Sequence, residues 1–193
     1  MQLTELQWWE ILAVVLAVVY LVLAIRQNIW CWAAAAISTL LYLFIMYQAR
    51  LYMESALQVF YLLMAGYGWY QWRRGGADGA ELEVSTWPVR YHLLATGSVL
   101  LLVFISGELL SRYSNAALPF LDSLTTWGAI VATFMVTRKI LENWIYWFVI
   151  DAVSIVLYFQ RELYFTAVLF LVYLFMIVIG YRSWRNSMLE NTE

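Results

Sequence analysis

The stretch LYMESALQVFYLLMAGYGWYQW (residues 51–72) and the stretch LYFTAVLFLVYLFMIVIGYRSW (residues 163–184) are two copies of one pattern. Both open on Leu-Tyr, and Tyr52, Tyr61, Gly68 and Trp72 recur as Tyr164, Tyr173, Gly180 and Trp184 at one constant offset. Upstream, the segments beginning at Asn28 and Asn143 extend the match, with Trp32 set against Trp147. Two similar apolar halves in one chain are a known way of building a transporter, with the substrate held where the halves meet.

Composition places these repeats in a lipid bilayer. The 193 residues are 64% hydrophobic and 12% charged, with a mean hydropathy of +0.72, whereas a soluble domain carries about 25% charged residues. The apolar runs are too long for strands and show no alternation, which disfavours a β-barrel. At about 20 residues per span, helices are expected at 8–25, 30–48, 53–72, 90–108, 117–137, 143–160 and 163–182. The predicted fold is therefore an all-α integral membrane protein. Its seven transmembrane helices form two parallel three-helix bundles (8–72 and 117–184) joined by a connector and linker helix (73–116), with a tail at 185–193. The odd fourth helix turns the second repeat over again, so that both copies point the same way. Gly66, Gly68 and Gly180 are expected to permit close helix packing, and the Gly-rich, charged segment 73–87 reads as a flexible connector.

Charge fixes an expected orientation. With the N-terminus outside and the C-terminus cytoplasmic, eight basic residues (Arg26, Arg73, Arg74, Arg90, Arg138, Lys139, Arg182, Arg185) lie inside and three (Arg50, Arg112, Arg161) outside, as the positive-inside rule requires. Tryptophans cluster near span ends, where indoles favour the interface. A net charge of −2 and a pI near 5.4 exclude a basic nucleic-acid surface. The single cysteine, Cys31, cannot form an internal disulfide, and the acidic start at Glu5 and Glu10 argues against a removable signal peptide. Glu54, Glu108, Asp122, Glu142 and Glu162 fall near helix ends, where capping or pairing with a base is the expected role. Pro119 and Asp122 read as start signals for the fifth helix.

The sixth helix carries the chemistry. Trp144, Trp147, Asp151, Ser154 and Tyr158 recur at helical spacing and share one face. Asp151 lies eight residues past Asn143, roughly 12 Å into a core of about 30 Å. A carboxylate at that depth costs at least about 2.5 kcal/mol, so it should face the protein interior or a wet cavity. Fixing helix packing is the alternative role. Flat aromatic faces beside a buried carboxylate suit a planar organic cation, which can stack and be neutralised at once. In the first repeat Ser38 and Thr39 sit near mid-depth with Tyr42 a turn later, and Gln58 lies roughly 9 Å into the third helix, where its amide can donate and accept. Tyr42 and Tyr158, in matching helices, are candidate gates.

These residues carry a family resemblance. Gln48-Ala49-Arg50-Leu51-Tyr52, Leu57-Gln58-Val59-Phe60, Tyr67-Gly68-Trp69-Tyr70-Gln71-Trp72, Pro119-Phe120-Leu121-Asp122, Thr137-Arg138-Lys139 and Glu142-Asn143-Trp144-Ile145-Tyr146-Trp147 resemble the PnuC family of bacterial vitamin transporters over nearly the whole chain. The resemblance implies a SWEET-like fold with parallel three-helix repeats in the bacterial inner membrane. It also implies facilitated diffusion of pyridine nucleosides or thiamine, with a cytoplasmic kinase trapping the product. Carried over by position, Trp144 and Trp147 become aromatic walls, Gln58 a polar contact and Asp151 a ligand. Nicotinamide riboside members typically carry asparagine at the positions of Ser38 and Asp151. The carboxylate here shifts the expectation to the thiamine branch, often called PnuT, with nicotinamide riboside as the alternative.

The expected partner is thus a small cationic vitamin, and a homo-oligomer is compatible with the chain. No cofactor is implied, since no nucleotide-binding loop is present. An intramembrane enzyme would need a nucleophile with a base or a metal cluster, and neither a His-Glu-x-x-His nor a Gly-x-Ser-x-Gly pattern occurs around the only histidine, His92. A retinal photoreceptor would need a lysine in the last helix, and the only lysine is Lys139. A non-transporting sensor or assembly subunit is the remaining rival.

Overall fold

In a bilayer every backbone N–H and C=O must be satisfied within the segment, so long apolar runs become helices. The computed structural model describes residues 3–48, 52–114, 118–160 and 164–190. Among them are seven α-helices and no strand: α1 (Leu3–Ile25), α2 (Cys31–Gln48), α3 (Tyr52–Arg74), α4 (Val89–Tyr113), α5 (Pro119–Thr137), α6 (Asn143–Gln160) and α7 (Tyr164–Glu190). The helix order is the expected one. Three ends differ from the sequence-based bounds by five residues or more: α1 starts five residues earlier, α4 ends five residues later at Tyr113, and α7 runs eight residues past Arg182, through most of the expected tail. Hydropathy marks where apolar residues stop, whereas a helix continues through any good helix former such as Met, Leu or Glu. Arg50, Arg161 and Glu162 lie outside the described residues, as does the side chain of Glu54.

The chain packs as two compact units. The first holds the residues up to Glu83 together with Thr137–Lys139, and the second holds Val84–Val136 and the chain from Ile140 onward. In the first unit α2 lies against both α1 and α3. Its Ser38 hydroxyl donates to the Ala13 carbonyl at 2.8 Å, a buried interhelical bond of a kind that contributes about 0.6 kcal/mol in a membrane protein. In the second unit α6 lies against α7. Helix α4 is the most exposed span: only Val99 and Gly107 are buried along it, and Leu93, Leu94, Leu100, Leu101 and Phe104 present apolar surface suited to lipid.

One device recurs in both units. In the first, the Trp32 indole lies in the notch left by Gly68 and meets the Trp72 ring edge-on, with centroids 5.4 Å apart at 83°. In the second, Trp144 fills the notch at Gly180 and meets Trp184 at 5.4 Å and 88°. Trp32 and Trp144 are 2% and 3% exposed. Helices in lipid gain no hydrophobic energy from meeting one another, so close van der Waals fit decides their association; an edge-to-face aromatic pair adds about 0.5–1.5 kcal/mol.

This geometry corrects the upstream register of the repeat. Trp144 stands 112 residues after Trp32, as Gly180 does after Gly68 and Trp184 after Trp72. The counterpart of Trp32 is therefore Trp144 rather than Trp147, and that of Cys31, which opens α2, is Asn143, which opens α6. The same register makes Thr39 the counterpart of Asp151.

The turns obey it too. Gln27 (φ 52°) and Lys139 (φ 48°) are both left-handed, each followed by an N–H that reaches back five residues: Asn28 to Leu23 at 2.9 Å and Ile140 to Met135 at 3.0 Å. This is the Schellman ending, which usually employs glycine, because a side chain in that conformation costs roughly 1–2 kcal/mol. The segment after α3, expected to be flexible, is held instead. The Leu82 N–H donates to the Trp72 carbonyl at 3.1 Å, and Ser85 receives the Leu141 N–H at 2.8 Å. Charge and glycine content signal solvent exposure, but these backbone pairings are invisible in the sequence.

A methyl group at Gly68 or Gly180 would overlap the indole, whereas nothing lies near Gly66. Gly68→Ala and Gly180→Ala are each expected to lower stability by about 1–3 kcal/mol, read as an earlier thermal unfolding transition in detergent. Gly66→Ala should leave the transition in place or raise it slightly.

Candidate functional site

Helix α6 contains 18 residues, and Asp151 is the ninth. Its side chain is 5% exposed, as is Ser154 one turn on. The ion pairs among the described residues are His92 with Glu142 and Arg112 with Glu108, so none of the described basic side chains pairs with Asp151. Glu108 thereby takes the pairing role expected of it. An uncompensated buried carboxylate is among the costliest groups a membrane helix can hold. Chemically it offers two strong acceptor oxygens and a counter-charge, which an ammonium or a delocalised ring cation would satisfy.

The stripe around Asp151 divides by use. Trp144 is committed to the Gly180 notch and to Trp184, so in this conformation its faces are filled by protein. Trp147, half-buried one turn before Asp151, is the stripe's other indole. Tyr158 is half-buried and tilts against Phe170 at 5.1 Å. In the first unit Thr39 is buried, Tyr42 and Gln58 are half-buried, and the Ser38 hydroxyl hydrogen is taken by Ala13.

The second unit also holds a cavity of about 470 Å³ that sequence reasoning missed. It lies among α4, α5 and α6, lined by Val99, Leu100, Leu124 and Ile150 among others, and none of the α6 stripe residues lines it. Its polar end is a cluster. The Tyr146 hydroxyl lies 3.1 Å from His92 Nδ1 and 3.3 Å from Thr96 Oγ1. Glu142 Oε1 lies 3.9 Å from His92 Nε2, and its Oε2 accepts the Trp87 N–H at 3.3 Å. The spacing of four between His92 and Thr96, and between Glu142 and Tyr146, was the available signal, since it sets each pair on one helical face. The cluster ties the start of α4 to the start of α6. Among the described residues no group of three side chains is placed to hold a metal ion.

Asp151 is thus a buried acid at the centre of a helix in a seven-helix, twice-repeated chain, and comparison with known proteins bears on what such a chain does. The profile of the family described as nicotinamide mononucleotide transporter matches residues 7–186. The chain belongs to that family. It is 28% identical to the nicotinamide riboside transporter PnuC of Escherichia coli (strain K12), over 96% of this chain and 88% of that one. It is likewise 28% identical to the riboflavin/roseoflavin transporter RibM of Streptomyces davaonensis, over 92% and 84%. The crystal structure of the vitamin B3 transporter PnuC superposes with a TM-score of 0.71 at 25% identity, covering 95% of this chain and 83% of that one. The chain is thus a multi-pass membrane transporter of the PnuC family, of the vitamin-carrying type, and not an enzyme.

The Tyr146 hydroxyl serves His92 and Thr96 together. Tyr146→Phe is expected to destabilise this PnuC-family protein by about 1 kcal/mol, visible as a lowered midpoint in thermal unfolding.

Proposed function

We propose that the chain carries a positively charged heteroaromatic vitamin into the cell by facilitated diffusion, with thiamine the substrate its site favours. The observation that carries this reading is Asp151, a buried carboxylate at the centre of α6 with no basic partner among the described residues. Its neighbour on the stripe, Trp147, supplies an aromatic face one turn away. A cation beside an indole gains roughly 0.5–2 kcal/mol, and neutralising Asp151 removes the cost of leaving it alone in the membrane. Gln58, Ser38, Ser154, Tyr42 and Tyr158 supply polar contacts and gates in this reading. The family relatives support vitamin uptake in general.

Orientation follows from the excess of arginine and lysine at the α1–α2, α3–α4 and α5–α6 connections. These belong in the cytoplasm of a bacterial inner membrane, with the N-terminus outside. Uptake needs no coupling ion if an intracellular kinase phosphorylates what arrives, because trapping keeps the inward gradient. Nicotinamide riboside is the second reading, favoured by the names of the curated relatives from Escherichia coli and Neisseria mucosa. It too carries a ring cation.

Vesicles containing the purified protein, loaded with the matching kinase and ATP, should accumulate labelled thiamine; nicotinamide riboside and riboflavin are the comparison substrates. Asp151→Asn is expected to weaken thiamine binding at least tenfold, about 1.4 kcal/mol, by titration of tryptophan fluorescence. Uptake of nicotinamide riboside alone would establish the second reading. Unchanged affinity in the variant, or uptake of neutral riboflavin alone, would remove the counter-ion role of Asp151.

A further inference from the structure

The first unit contains a second polar hollow, far from mid-helix, where the α1–α2 turn, the end of α3 and the α5–α6 turn come together. Its volume is about 280 Å³, at the small end of ligand pockets, and Gln27, Asn28, Trp30, Trp72, Glu81 and Lys139 line it. Lys139 is 7% exposed. Its Nζ lies 4.8 Å above the centre of the Trp72 ring, a contact that stabilises the charge. Neither ion pair among the described residues includes it. Burial lowers the proton affinity of Lys139, and the negative charges of Glu81 and Glu83 oppose that shift.

The placement of this lysine is not explained by the turn. A left-handed helix ending is best served by glycine, and the equivalent residue of the first repeat, Gln27, shows that an uncharged side chain also fits. A charged group in a strained backbone position, buried and aimed into a hollow, is the pattern of a binding residue.

The remaining lining defines the ligand. Lys139 supplies a cation, Glu81 a carboxylate, Asn28 an amide and Trp30 an indole held edge-on by Trp69 at 5.4 Å. One positive and one negative group beside aromatic rings match a zwitterion whose positive charge sits on a flat ring and whose negative charge is a phosphate. We propose that this hollow is a product-sensing site, in which Lys139 binds the phosphate and Glu81 the ring cation of the phosphomonoester of a cationic vitamin, and that its occupancy slows uptake. The inference rests on the function and orientation proposed above, under which the hollow opens to the cytoplasm, where the kinase product accumulates. An ammonium takes phosphate oxygens as a compact point charge, and here it does so with little competition from water.

Isothermal titration calorimetry on the full chain in detergent tests the site, with thiamine monophosphate, nicotinamide mononucleotide and inorganic phosphate as probes. One of the two phosphomonoesters should bind saturably and more tightly than inorganic phosphate. Lys139→Gln, which copies Gln27, should weaken that binding at least tenfold and change affinity for the unphosphorylated vitamin less than twofold. Glu81→Gln, at an exposed position, should narrow the preference over inorganic phosphate, and the phosphomonoester loaded inside the vesicles, on the cytoplasmic face, should slow uptake by the wild type and no longer slow it in Lys139→Gln. The site is overturned if neither phosphomonoester binds, if inorganic phosphate binds equally well, if Lys139→Gln binds as wild type, or if Asp151→Asn rather than Lys139→Gln abolishes binding. Lys139-dependent binding without vitamin uptake would sink the transport reading and leave the site standing; uptake without such binding would sink the site alone.

Discussion

Everything in each repeat is arranged around an indole lying where a glycine has removed a side chain. Two helices in lipid have no water to escape from, so their association depends on how closely they fit. A tryptophan is the largest knob available and glycine the deepest hole, and Trp32 in Gly68 and Trp144 in Gly180 are that combination made twice. Each indole then meets a second tryptophan at nearly a right angle. The pair defines where the second and third helices of a repeat cross, and so how the rest of α2 and α6 is rotated about its axis.

That rotation places the chemistry. With Trp144 turned into the Gly180 notch, Asp151 and Ser154, two and three turns later on the same stripe, are buried too. The first repeat uses the same rotation to bury Thr39 and to join Ser38 to α1. One position thus carries a neutral hydroxyl in one repeat and an acid in the other. The two repeats thus differ at one mid-membrane position, while each keeps the packing it needs. The turns diverge in the same way: Gln27 and Lys139 share a backbone conformation and differ by a charge.

Much of this was legible in the sequence, for identifiable reasons. Landmarks at one offset, long apolar runs and a carboxylate far from any helix end are one-dimensional signals, and they marked seven helices, the repeat and Asp151. The assignment of Trp147 to Trp32 failed because both Trp144 and Trp147 lie near the start of α6, and only the glycine that each indole meets tells them apart. The Glu142, Tyr146 and His92 cluster was hidden because its partners are 50 or more residues apart on two helices. The segment after α3 looked flexible because its restraints are backbone hydrogen bonds, which composition does not encode.

By itself the sequence determined that the chain crosses a membrane as helices, repeats itself, and places one acid at mid-depth, since hydropathy, periodicity and position along a helix are local properties. Only the tertiary structure decided that Trp144 is a packing knob, that Ser38 is bonded to α1, and that Lys139 is buried over Trp72 beside Glu81. Those facts depend on which side chains distant segments bring into contact, and in a bilayer that is settled by fit between helices rather than by any property of one segment alone.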